Sequence, residues 1–221
     1  MGARVLVIGL DCAPPALLFE RWRSELPTLR SLLERGRHGV LRSCDPPITV
    51  PAWAVMTSSR SPGALGVYGF RNRRDRSYDA LGFADSRSIR VPRVWDLLSA
   101  RDRSVIVLGV PPTYPVMRVN GVMVSCLLAP DTDRAQYTYP AELGAEIEQL
   151  VGRYVVDVGN FRTDDKARLL ADVEDMTAKR FRVAEHLLST RPWDLFFMVE
   201  IGTDRIHHGF WHFLDPEHRL Y

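Results

Sequence analysis

The chain has 221 residues, 46% of them hydrophobic and 25% charged, with a net charge of +2. That is the make-up of a globular protein with one sizeable core, and the near-neutral balance argues against a dedicated nucleic-acid surface. Three cysteines (Cys12, Cys44, Cys126) without CxxC spacing exclude a disulfide framework and a zinc knuckle. The six-residue apolar run Val5 to Leu10 is too short for a signal peptide, and no stretch approaches the ~20 apolar residues of a membrane span, so a cytoplasmic protein with no membrane partner is expected.

Arg4 to Leu10 (RVLVIGL) is β-branched and apolar, which predicts a strand buried on both faces of a parallel sheet. It stops at Asp11, and Pro14-Pro15 breaks any continuation; a helix is predicted over Pro15 to Trp22. Leu26 to Arg35 carries a leucine stripe and ends at Gly36, as an amphipathic helix does. Gly39 to Leu41 reads as a short strand. In Pro46-Pro47-Ile48-Thr49-Val50-Pro51 a helix can start at Val50 or Pro51 with Thr49 as its cap.

Ser61 to Asn72 is a glycine-rich loop. Arg71, Arg73, Arg74 and Arg76 follow and read as a solvated basic face. Pro92 to Ala100 is a helix with Val94, Trp95, Leu97 and Leu98 turned inward, and Ser104 to Val110 is a second buried strand. Val119-Asn120-Gly121-Val122 has the composition of a hairpin turn. Helices are predicted over Pro140 to Val151 and over most of Asn160 to Thr190, the latter capped by Thr163. Its stripe of Leu169, Val173, Met176, Phe181, Ala184, Leu187 and Leu188 is core. A strand over Leu195 to Val199 follows. Alternating strands and helices, with no repeat and no linker, predict a single α/β domain over 1–221: a mostly parallel central sheet with helices on both faces.

Four of the six histidines lie between His207 and His218, just after that last strand. Asp204 and His208 are four apart, so one helical turn puts carboxylate and imidazole on one face. Asp11 ends the first strand and Thr49 starts a helix, and such ends gather on one edge of a parallel sheet. Two carboxylates, an imidazole and a hydroxyl at a helix N-terminus are the donors and the nucleophile that a divalent-metal site needs.

VIGLDCAPP, PPITVPAWAVMTSSRSPGALGVYGF and VEIGTDRIHHGFWH, in that order, resemble the alkaline phosphatase superfamily, in its type I phosphodiesterase/nucleotide pyrophosphatase branch. The resemblance implies an alkaline-phosphatase-like fold and hydrolysis of small-molecule phosphoric esters, not of a nucleic-acid polymer. It implies two divalent metal ions, zinc or manganese. Asp11, Thr49, Asp204 and His208 match the metal ligands, Thr49 also matches the nucleophile, Asn72 matches a phosphoryl-binding asparagine, and His207 is a neighbour. A phosphosugar mutase of the same superfamily is the alternative activity. The Asp-His-Gly triplet of that branch does not occur here, so the resemblance implies the N-terminal part of a longer enzyme, incomplete at its C-terminal side, or a non-catalytic domain.

Overall fold

The computed structural model describes residues 3–75 and 77–221. Its strands are β1 (Val5–Leu10), β2 (Arg71–Arg73), β3 (Leu81–Phe83), β4 (Val105–Leu108), β5 (Gly121–Val124), β6 (Thr138–Tyr139) and β7 (Leu195–Glu200). Its α-helices are α1 (Pro27–Arg35), α2 (Thr49–Ser58), α3 (Pro62–Leu65), α4 (Val94–Ser99), α5 (Leu143–Val151), α6 (Lys166–Thr190) and α7 (Gly202–Leu214). The central sheet runs β1-β7-β4-β5-β6, and only β6 is antiparallel to its neighbour. The expected mixed α/β architecture is therefore present.

The period of two along the strands sorts the core into two layers. Ile106, Leu108, Phe196 and Met198 share one cluster with Ile147 of α5 and Leu187 of α6. Val105, Val107, Leu195, Phe197 and Val199 share the other with Trp53 of α2 and Trp95 of α4. β4 and β7 are thus covered on both faces, which is why their sequences are continuous apolar runs. Arg180 is buried on α6, donating to the backbone oxygens of Val199 and Val156 and lying 3.7 Å from Glu200.

Several expectations change. β1 is not buried on both faces. Among the described residues it pairs only with β7, at the sheet edge, and Val5, Leu6 and Ile8 are 52%, 47% and 52% exposed. Gly39 to Leu41 forms no strand and stays exposed, because nothing pairs with it among the described residues. Gly121 does not make a hairpin turn: β5 runs parallel to β4, and Gly121 at φ 140° lets the chain pass against the Val105 backbone. The hairpin is instead β2–β3, which carries Arg71 and Arg73; Arg76 lies outside the described residues. The segment Ala16–Arg21 is a π-helix, wound wider than an α-helix. The long helix begins only at Lys166, with Asp165 accepting from the Arg168 N–H as its cap; Thr163 instead accepts from Asp165. Leu97 is half exposed on α4.

Phe196 is fully buried at the centre of the sheet, so Phe196→Ala is expected to cost about 3–5 kcal/mol in urea unfolding. Leu6→Lys on the uncovered edge strand is expected to shift stability by no more than about 0.5 kcal/mol.

Candidate functional site

Three chain segments meet beyond the carboxyl ends of β1 and β7. The Asp11 N–H donates to the Glu200 oxygen at 2.9 Å, extending the β1–β7 ladder by one residue. The Thr203 hydroxyl on the first turn of α7 then donates to the Asp11 backbone oxygen. Glu200 accepts from the Gly202 N–H at 2.6 Å and from Thr177 at 3.0 Å, which fixes where α7 starts. A side chain at Gly202 would sit 2.5 Å from the Thr177 hydroxyl, so the turn needs a glycine.

α2 supplies the third segment. Ile48 holds the cap position in extended geometry, and Thr49 is the first helical residue. Thr49 therefore does not cap α2, contrary to the sequence expectation. Its hydroxyl is left available at the helix N-terminus, where backbone N–H groups and the helix dipole favour an anion. One turn on, Trp53 Nε1 donates to Asp11 Oδ2 at 3.2 Å. Gly9 makes room for that indole: a Cβ there would come within 2.4 Å of it.

Asp11 is buried. Burial pushes its carboxyl up to about 6, with nearby Asp204 adding to the rise, while the Trp53 N–H, the Thr49 hydroxyl and Arg205 pull it back. Cys12, next to it at φ 61°, has its thiol pushed up to about 11 by burial and by Asp204. Asp204 is also buried. Its Oδ1 is 3.5 Å from His208 Nε2, and its Oδ2 is 2.5 Å from Arg205 Nη1. Thr49, Asp204, Arg205 and His208, with Cys12, Phe70 and Phe161, wall a hollow of about 500 Å³. His207 lies on the other side of α7, against an apolar hollow and the Trp211 ring, and burial lowers its pKa.

Asp11, Thr49, Asp204 and His208 are thus brought to one place, and Asn72 is not. Asn72 accepts from the Tyr68 N–H at 2.7 Å and donates to the Gly69 oxygen at 2.9 Å, so its amide closes a turn. It borders a separate hollow of about 720 Å³ beside the β2–β3 hairpin. Sequence reasoning missed Arg205, Asp157 and Trp53. Arg205 stands next to Asp204 in the motif and Trp53 one turn after Thr49, but nothing in the sequence points to Asp157.

The donor set suits a divalent ion in chemistry: two carboxylates, an imidazole and a hydroxyl. In number it is partial. Among the described residues no three His, Cys, Asp or Glu side chains stand close enough to hold one ion. Asp204 pairs with His208, and Asp11 with Thr49.

A mostly parallel sheet with these groups at its carboxyl edge is an α/β fold of the alkaline-phosphatase-like class. The model of the type I phosphodiesterase / nucleotide pyrophosphatase family matches residues 5–221, and the chain belongs to that family. It is a family of phosphoester hydrolases, generally metal-dependent. No curated protein and no solved structure matches the chain.

The Asp11 carboxyl sits near 6 in the folded chain and near 3.9 when unfolded. The folded state therefore holds the extra proton between those values, and stability falls as pH rises from about 4 to about 6. In chelator-treated protein, Asp11→Asn is expected to remove that slope and to stabilise the fold by about 3 kcal/mol at pH 8 but not at pH 3, read from urea midpoints.

Proposed function

We propose that the chain is a metal-dependent hydrolase of phosphoric esters, of phosphodiesterase/nucleotide pyrophosphatase type, with Thr49 as nucleophile. Asp11, Thr49, Asp204 and His208 are the ligands of two divalent ions, zinc or manganese. The observation that carries this reading is the place of the Thr49 hydroxyl: first in α2, not used as a cap, beside Asp11, and on the wall of the hollow that Asp204 and His208 share.

Bound divalent ions would supply the positive charge that favours the Thr49 alkoxide and neutralises the phosphoryl oxygens. The Thr49 oxygen attacks phosphorus, the bond to the leaving oxygen breaks, the hydroxyl proton ends on that leaving oxygen, and a phosphothreonine forms. The N-terminus of α2 orients the phosphoryl oxygens at that point. Water then attacks phosphorus, releasing phosphate or its monoester and restoring the hydroxyl. Asp11, linked to Trp53 and through its backbone to Thr203, keeps the strand end in register with Thr49 and Asp204. We also propose a cytoplasmic setting, supported by three free cysteines.

A second reading, a non-catalytic α/β domain, is favoured by the partial ligand set among the described residues. Equilibrium dialysis against zinc separates the two: two tightly held ions per chain exclude the second reading, and none at all favours it.

Thr49→Ala is expected to lower turnover of an aryl phosphodiester by about a thousandfold or more, while Thr49→Ser keeps measurable activity. Wild-type turnover in Thr49→Ala would sink the nucleophile assignment.

A further inference from the structure

One side chain at the hollow is held by several polar contacts, and no metal or nucleophile role uses it. Arg205 is buried on the first turn of α7. Its Nε and Nη2 donate to the two oxygens of Asp157 at 2.6 and 2.7 Å, a fork-to-fork pair. Its guanidinium lies over the Phe161 ring, 4.3 Å from the centroid. Only Nη1 reaches the site, meeting Asp204 Oδ2 at 2.5 Å.

Asp204 is therefore shared: a cation on Oδ2 and the His208 imidazole 3.5 Å from Oδ1. A carboxylate held that closely by a guanidinium has fewer lone pairs for an ion, and the two positive charges repel in a half-enclosed hollow. The guanidinium has a second, complete binding place. Two of its three carboxylate contacts and its ring contact do not involve Asp204. Loosening Nη1 therefore leaves no buried charge without a partner, which is the condition that makes breaking a buried pair costly.

We propose that Arg205 and a divalent cation compete for the Asp204 carboxylate, and that Asp157 and Phe161 keep the guanidinium on the hollow's wall when the cation takes Asp204. Arg205 is then a positioning residue: it balances Asp204 until an ion arrives and turns its freed N–H toward the hollow afterwards. The inference rests on the reading of Asp204 as an ion ligand, but not on Thr49 being a nucleophile.

The test uses the purified full chain and Mn2+ alone, with no turnover measured. Calorimetric titration is expected to show Arg205→Gln binding Mn2+ about tenfold more tightly than wild type, the size of one charge-assisted contact removed. Because Arg205→Gln leaves Asp157 without its partner, Asp157→Asn/Arg205→Gln is compared with Asp157→Asn as well, and a tightening at least as large is expected. A crystal structure of the wild-type chain with Mn2+ is expected to show the ion on Asp204, with Nη1 beyond hydrogen-bonding distance of it and both Asp157 contacts kept. Equal or weaker binding in both Arg205→Gln backgrounds overturns the proposal. So does Mn2+ on Asp204 with the Arg205 contact intact, Mn2+ bound elsewhere, or no binding by any variant. Loss of diester turnover in Thr49→Ala is a separate measurement, so the catalytic reading can fail while this one holds.

Discussion

The hydrogen-bonded seam between β1 and β7 is the contact on which the site depends. It pairs Val5 with Leu195 through Leu10 with Glu200, and continues past the strands as the Asp11 N–H bond to Glu200. A register shift of one residue would turn every side chain of β1 to the other face and carry Asp11 away from α7. The Thr203 hydroxyl on the Asp11 oxygen locks that register from the helix side. The two neighbouring buried carboxylates, Asp11 after β1 and Asp204 on α7, thus come from positions 193 residues apart with little freedom left.

Holding two buried carboxylates together is unfavourable, and the local structure is arranged around that cost. Trp53 and the Thr49 hydroxyl act on Asp11, and Arg205 and His208 lie against Asp204. The balance remains short of positive charge at Asp11, where burial dominates and the carboxyl stays near 6. A site with an excess of buried acid, and a hydroxyl beside it that does not cap its helix, is suited to gaining a cation and an anion together, which is what phosphoester chemistry asks for.

The buried strands were legible because a parallel sheet covered on both faces demands unbroken apolar runs, and SVIVLGV and LFFMV supply them. The same rule misreads β1. RVLVIGL is just as apolar, yet it lies at the sheet edge, and no local pattern separates an edge strand from a central one. The proximity of Asp204 and His208 was legible from helical spacing, and the position of Asp11 from its place after a strand. Asn72 was carried over from a motif, but hydrogen bonds to Tyr68 and Gly69 occupy its amide.

By itself the sequence determined the fold class, the main buried strands and long helices, and the residue types available for chemistry, because periodicity and helix and strand ends are local properties. Only the tertiary structure decided which of these residues meet. That Ile48 rather than Thr49 caps α2, that Trp53 reaches Asp11, and that Asp157 anchors Arg205 across 48 positions all follow from how α2, β7 and the chain after α5 pack. Such contacts are set by crossing points between distant segments, and the physics of a crossing point is not written in either segment alone.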